Sequence, residues 1–276
     1  MRLANAISAE RTTILQQSTR EHEFKAQNGE DRILMQHFAD KKSGVCVEVG
    51  AYDGVDMSNT YVFEKLGWKC LLVEADPEMA EICRQNRPAA TVVNCAVVPP
   101  GSPSRVSFQV SEDVKGMSSI ALDNSSRRRI TGHAGRLAIR EITTSARTLD
   151  TILEASNCTQ IDFISIDVEG HELGVLEGFH IKRWNPKLVL VERCGLFPVW
   201  SILTYFDRAG YALSSRTGDN DWYYQTHSNP QGIPKLLIRF YLLPLPVLLP
   251  KVIARAAKGI LFKLGIYQSI AGMTRK

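Results

Sequence analysis

The 276-residue chain has no Cys-x-x-Cys pair. Its six cysteines stand apart at 46, 70, 83, 95, 158 and 194, which argues against both a zinc site and a disulfide framework. A reducing cytoplasm fits this usage. Near the N-terminus no continuous apolar run precedes a cleavage site, so a secretory signal is not expected. Internal repeats are absent. The net charge of +4 is too small to imply nucleic acid as a partner. From Ile233 to Lys276 there is no acidic residue at all. That stretch holds an apolar run at 236–250, too short and too broken by prolines to cross a membrane. A basic amphipathic pattern follows from Lys251 to Gly265. Such a segment can lie on an anionic membrane surface, or it can pack on the domain or a second subunit. A cytoplasmic protein is therefore expected, with peripheral membrane contact through residues 233–276 as one reading of the tail.

What is present is an ordinary globular composition, 44% hydrophobic and 22% charged, in a chain long enough for one substantial α/β domain plus a tail. Its most informative segment is Val-Cys-Val-Glu-Val-Gly-Ala-Tyr-Asp-Gly at 45–54, followed by Leu-Leu-Val-Glu at 71–74. An apolar strand, a turn holding Gly50 and Gly54, a helix, and a second apolar strand ending in Glu74 make the first half of a doubly wound nucleotide-binding sheet. Glu74 is placed to accept hydrogen bonds from both hydroxyls of a ribose. A dinucleotide fingerprint wants a middle glycine so that the backbone can touch a pyrophosphate, but Tyr52 stands there, beside the acidic Asp53. Bulk and negative charge suit a cationic ligand instead, and S-adenosylmethionine carries a ribose, a sulfonium and an ammonium without phosphate.

Alternation of apolar strands with helical periodicity continues along the chain. Strands are expected near 45–49, 69–74, 91–95, 162–167 and 187–192, with helices near 30–39, 58–67, 77–86, 171–178 and 199–209. This order means a mostly parallel sheet covered on both faces. Tyr211 to Gln225 reads as two strands around a Thr-Gly-Asp-Asn turn. Residues 99–147 interrupt the pattern as an insertion that contains a strand at 105–110 and projects near the ligand face. The expected organisation is an N-terminal arm over 1–23, a domain over 24–230 and the tail over 231–276.

Further segments carry a resemblance. Gln-Asn-Gly-Glu-Asp stands at 27–31, Ser-Asn-Thr-Tyr at 58–61, Glu-Lys-Leu-Gly-Trp at 64–68, Asn-Cys-Ala-Val at 94–97, and Asp-Val-Glu-Gly-His-Glu at 167–172. In this order and spacing the chain resembles the FkbM family of S-adenosylmethionine-dependent methyltransferases, over about residues 24–215. The resemblance implies a class I methyltransferase fold, Rossmann-like with a C-terminal antiparallel strand pair. It also implies S-adenosylmethionine as cofactor and methyl transfer, most often to a hydroxyl oxygen. The expected acceptor is a hydroxyl on a sugar, glycan or secondary metabolite. A nicotinamide-dependent oxidoreductase and a non-catalytic membrane-associated binding module are the alternatives.

The candidate cofactor residues are Glu48, Gly50, Asp53, Gly54, Glu74, Asn94 and Ala96. Glu48 either anchors the turn or meets the methionine portion through water. Asp53 is a turn former or a direct contact. Asn94 and Ala96 sit where the family places the adenine end, although an asparagine there can instead satisfy its own loop. The candidate catalytic residues are Asp167, Glu169 and His171. Asp167 and Glu169 converge only if the chain turns at Gly170, because alternate strand residues face opposite ways. His171 is the proton acceptor suggested by ordinary pKa, and a solvent-facing residue of the first helical turn is its alternative. Asp167, Glu169 and Glu192 could hold magnesium, as in some O-methyltransferases. Two carboxylates in a short segment are common without an ion, so no metal is assigned. Arg127–Arg129 read either as an anion pocket or as a solvated loop.

Overall fold

The computed structural model describes residues 23–111, 118–120, 139–193 and 200–226. The chain divides into Met1–Asn229 and Pro230–Lys276. The N-terminal arm, Arg127–Arg129 and the basic tail with its expected membrane contact lie outside the described residues.

Seven strands form the main sheet. They are β1 (Val45–Val49), β2 (Lys69–Glu74), β3 (Thr91–Asn94), β8 (Phe163–Ile166), β9 (Leu188–Glu192), β10 (Tyr211–Thr217) and β11 (Asn220–Gln225). Their spatial order is β10-β11-β9-β8-β1-β2-β3. Parallel pairing runs from β9 through β8, β1 and β2 to β3, and β11 joins β9 antiparallel. This is the mostly parallel sheet that the strand alternation predicted, with the C-terminal antiparallel strand pair that the resemblance implied. The central strands are buried on both faces, which is why they read as unbroken apolar runs rather than as alternating ones.

The helices are α1 (Glu30–His37), α2 (Tyr61–Lys65), α3 (Pro77–Asn86), α4 (Leu149–Ala155), α5 (Glu172–Glu177), α6 (Ile181–Trp184) and α7 (Trp200–Ala209). α3 starts where the sequence says it should. Asp76 caps the Glu78 N–H and Pro77 takes the first turn, where its missing N–H is harmless. Leu34, Phe38, Phe63, Trp68, Phe163 and Trp222 share a core cluster, where each buried aromatic ring removes a large apolar area from water.

Two parts differ from expectation. α2 begins at Tyr61 rather than 58, because Ser58, Asn59 and Thr60 direct their donors to Glu48 instead of starting a helix. The described residues of the insertion hold more strand than the one expected at 105–110. β5 (Arg105–Ser111), β6 (Ser118–Ile120) and β7 (Ile139–Arg147) join β4 (Ala96–Val97) in a second sheet of order β4-β7-β5-β6. Its long strands alternate polar with apolar residues, so one face meets water.

Candidate active site

A cavity of about 340 Å³ opens along the carboxyl ends of the parallel strands. This is where an open α/β sheet binds its ligand, and the volume lies in the range of small-molecule sites. It runs from Cys95, Ala96 and Val97 beside β3, past Glu74 and Gly50, to Asp167, Glu169 and Glu192 at the ends of β8 and β9. Phe108, Ser118 and Ile120 wall it from the second sheet, so the insertion does reach the ligand face.

Glu74 ends β2 with its side chain buried. Its carboxylate accepts the Tyr52 N–H at 2.7 Å and the Asp76 N–H at 2.8 Å. Burial pushes its pKa up to about 7 against amide hydrogen bonds from Asp76, Tyr52 and Ala75, and the Asp76 carboxylate adds to the rise. Each carboxylate oxygen keeps a lone pair, so the pair of ribose hydroxyls expected here has acceptors available.

The turn after β1 is already saturated with internal bonds. Gly50 and Ala51 donate to the Val73 carbonyl at 2.9 and 3.1 Å, and Tyr52 donates to Glu74. Three amides that would cradle a pyrophosphate in a dinucleotide fold are thus engaged. Gly50 (φ 87) is required by the neighbouring strand rather than by a ligand, because a Cβ there would fall 1.7 Å from the Asp167 carbonyl oxygen. Gly54 (φ 78) admits α3, since a Cβ would sit 2.7 Å from Cys83 Sγ. Asp53 lies outside the cavity lining and forms the turn by accepting the Val55 and Asp56 N–H groups, both at 2.8 Å.

Glu48 is an anchor. It accepts Ser58 Oγ at 2.7 Å, the Asn59 N–H at 2.7 Å and Thr60 Oγ1 at 2.6 Å. Arg87, fully buried, braces the same loop by donating to the Gly54 carbonyl at 2.8 Å and the Thr60 carbonyl at 3.2 Å while it pairs with Glu64. Sequence reading missed Arg87, which stands after α3 without any local motif. Asn94 also serves the loop. Its amide donates to the Glu74 and Ala75 carbonyls at 2.9 and 3.1 Å, and only Ala96 of that pair lines the cavity.

Past β8 the chain turns sharply through Glu169 (φ 53) and Gly170 (φ 102). Glu172 holds this turn by accepting the Gly170 N–H at 2.8 Å. The expected convergence is realised, and carboxylate oxygens of Asp167, Glu169 and Glu192 lie within 4.8 Å of one another. Crowding by protein, then the Glu192 carboxylate, raise the Asp167 carboxyl well above the ordinary range. Asp167 is exposed, so the like-charge Glu192 is the main reason its carboxyl resists ionisation. Carboxylates this close share a proton, a cationic ligand or a hard cation.

His171 precedes α5 and lines the cavity. Its ring lies over Gly174, where a Cβ would fall 2.3 Å from Nε2. Nε2 is buried without a hydrogen-bond partner, and burial lowers the imidazole pKa. That nitrogen is turned to the helix. Backbone strain gathers around the same cavity. Tyr52, Met57 and Glu169 all have left-handed φ values (51°, 62° and 53°), and all three line it.

The fold and the cavity define a class I methyltransferase. The methyltransferase FkbM domain model matches residues 48–213, and the chain belongs to that family. It is a methyltransferase that takes S-adenosylmethionine as its cofactor. No curated protein matches it in sequence. Among solved structures, it resembles a TehB-like SAM-dependent methyltransferase from Corynebacterium glutamicum at 12% identity and TM-score 0.39, covering 82% of this chain and 100% of that one. A ribosomal protein L11 methylase from Lactobacillus delbrueckii aligns at 10% identity and TM-score 0.40, covering 72% of this chain and 80% of that one. TrmK of M. capricolum, solved with S-adenosylhomocysteine, aligns at 10% identity and TM-score 0.35, covering 75% and 74%. At such scores the fold assignment rests on the strand order and the family match.

Proposed function

We propose that this methyltransferase modifies a hydroxyl oxygen of a sugar or secondary metabolite, with Asp167 taking the hydroxyl proton. The observation that carries the reading is the group of carboxylates at the ends of β8 and β9, across the cavity from Glu74. Among the described residues that line the cavity there is no lysine or arginine. Hydroxyls donate hydrogen bonds to such a wall, whereas a phosphate-bearing acceptor would be repelled by it.

An alcohol is a weak nucleophile until its proton leaves, and a positioned base contributes about 10²–10⁴-fold. Asp167, with its pKa raised by crowding and by Glu192, is a stronger base when ionised than an ordinary carboxylate. As the new C–O bond forms, the C–S bond of the sulfonium breaks and its electron pair stays on sulfur. The hydroxyl proton passes to the Asp167 carboxylate. Glu169 and Glu192 hold the acceptor's other hydroxyls, and the cavity walls align the oxygen for in-line displacement.

The test is methyl transfer to a panel of hydroxyl-bearing sugars and metabolites, read by mass, with Asp167→Asn beside the full-length protein. The expected outcome is an O-methylated product, with kcat lower by about 10²–10⁴-fold in the variant and S-adenosylhomocysteine affinity little changed. A product methylated on nitrogen or carbon, or an Asp167→Asn variant at full rate, would sink the reading.

A further inference from the structure

The Gln-Asn-Gly-Glu-Asp segment at 27–31 has no part in the site described so far, yet the fold invests heavily in holding it. Glu30 and Asp31 are fully buried. Glu30 accepts Thr217 Oγ1 at 3.0 Å and Asn220 Nδ2 at 3.1 Å, which ties the segment to the β10–β11 turn. Asp31 accepts the Lys25 and Ala26 N–H groups at 2.6 and 3.0 Å. Asn28 packs on Gly218, where a Cβ would lie 2.1 Å from its Nδ2. Ala26 forms a β-bridge with Met57, in the turn that follows β1. The remaining side chain, Gln27, is exposed and lines the cavity. It makes no hydrogen bond to a described residue.

Its position says which half of the cofactor it meets. With the ribose on Glu74 at the end of β2 and the adenine toward β3, the methionine half must extend toward β1 and β8. Gln27 stands on that side, between the turn holding Met57 and the β10–β11 turn. The methionine half carries an ammonium and a carboxylate. Carboxylates for the ammonium are plentiful there. Donors for the carboxylate are not. No lysine or arginine lines the cavity among the described residues. The amides of Gly50, Ala51 and Tyr52 are engaged, and Asn59 Nδ2 donates to Ser165 Oγ at 2.9 Å.

We infer that Gln27 is a cofactor-binding residue whose carboxamide N–H donates to the carboxylate of the methionine half, and that the buried contacts of Glu30 and Asp31 exist to hold it there. A neutral donor fits better than a lysine, which the nearby carboxylates would capture as an ion pair. The inference rests on the cofactor and not on the acceptor chemistry proposed above.

Calorimetric titration of the full-length protein with two ligands tests it. S-adenosylhomocysteine carries the amino-acid half, and 5′-methylthioadenosine keeps the nucleoside but lacks that half. Gln27→Ala is expected to bind S-adenosylhomocysteine about tenfold more weakly, as a lost hydrogen bond to a charged group requires. Gln27→Glu, which sets a second anion against the carboxylate, is expected to bind it more weakly still. Both variants should bind 5′-methylthioadenosine as the unsubstituted protein does. Unchanged S-adenosylhomocysteine affinity in both variants would overturn the inference. So would a parallel loss of 5′-methylthioadenosine, which would mark general damage to the cavity. A failure of the O-methylation reading leaves these titrations untouched, so the two can fail separately.

Discussion

At the amino ends of the parallel strands, Asp162 is buried just before β8, with Lys41 and Lys187 against its carboxylate and the Val45 N–H donating to it at 3.1 Å. At the carboxyl ends, Glu74 is also buried, but it meets amides and the Asp76 carboxylate rather than lysines. Burial opposes ionisation at both ends. At Asp162 the Lys41 hydrogen bond and the other donors win, and the carboxyl is held below its ordinary value. At Glu74 burial wins and the pKa rises to about 7. One end of the sheet is electrostatically complete without a ligand, and the other is left short of donors. The first arrangement favours the fold. The second costs the fold something, which ribose hydroxyls donating to Glu74 would relieve.

Three substitutions or conditions press on this comparison. The largest effect is expected from Glu74→Ala. Losing two hydrogen bonds to a charged acceptor, at about 1.5 kcal/mol each, should weaken S-adenosylhomocysteine binding about 100-fold in calorimetry while the protein still melts cooperatively. Near-normal affinity in the variant would remove Glu74 from the site. At the opposite end, Asp162→Asn should lower stability by about 2 kcal/mol in denaturant unfolding, because two lysines lose their shared partner, and leave S-adenosylhomocysteine affinity unchanged. A binding defect there would mean that the two ends are coupled.

The smallest effect is the pH dependence, where the two ends have opposite signs. Asp162, with its lowered pKa, contributes stability that is present above its ordinary unfolded value and lost as pH falls through the folded one. Glu74, raised from 4.5 to about 7, holds a proton in the folded protein that the unfolded chain has released. Its contribution to stability is therefore lost as pH rises through that window. Because ribose hydroxyls donate to the ionised form, S-adenosylhomocysteine affinity should fall by up to about tenfold per unit below pH 7. Affinity that stays flat from pH 7.5 to 5.5 would show that Glu74 does not set it.

Much of the sheet was legible in the sequence because parallel strands buried on both faces are built mainly of apolar residues. The runs at 45–49, 69–74, 163–166 and 188–192 therefore stand out without any partner in view. α3 was equally plain, since its cap and its proline act within one turn. Of the second sheet only the strand at 105–110 was, because β7 (Ile139–Arg147) is largely polar and gains its identity only by pairing with β5 and β4.

The site divides the same way. Chain order, with the family resemblance for Ala96, placed Glu48, Gly50, Glu74, Ala96, Asp167, Glu169 and His171 along one cavity, because each lies near or after the carboxyl end of a parallel strand. What each does there was decided only by neighbours distant in sequence. Gly50 answers to the Asp167 carbonyl, Gly54 to Cys83, and Asn94 to carbonyls at the end of β2. Arg87 braces a loop 27 to 33 residues before it, and Gln27 reaches the cavity because Glu30 bonds to residues 187 and 190 positions away. Local sequence determines backbone conformation and apolar patterning, which act over a few residues. The burial and partners that give a carboxylate or an amide its chemistry exist only once the strands have been brought side by side.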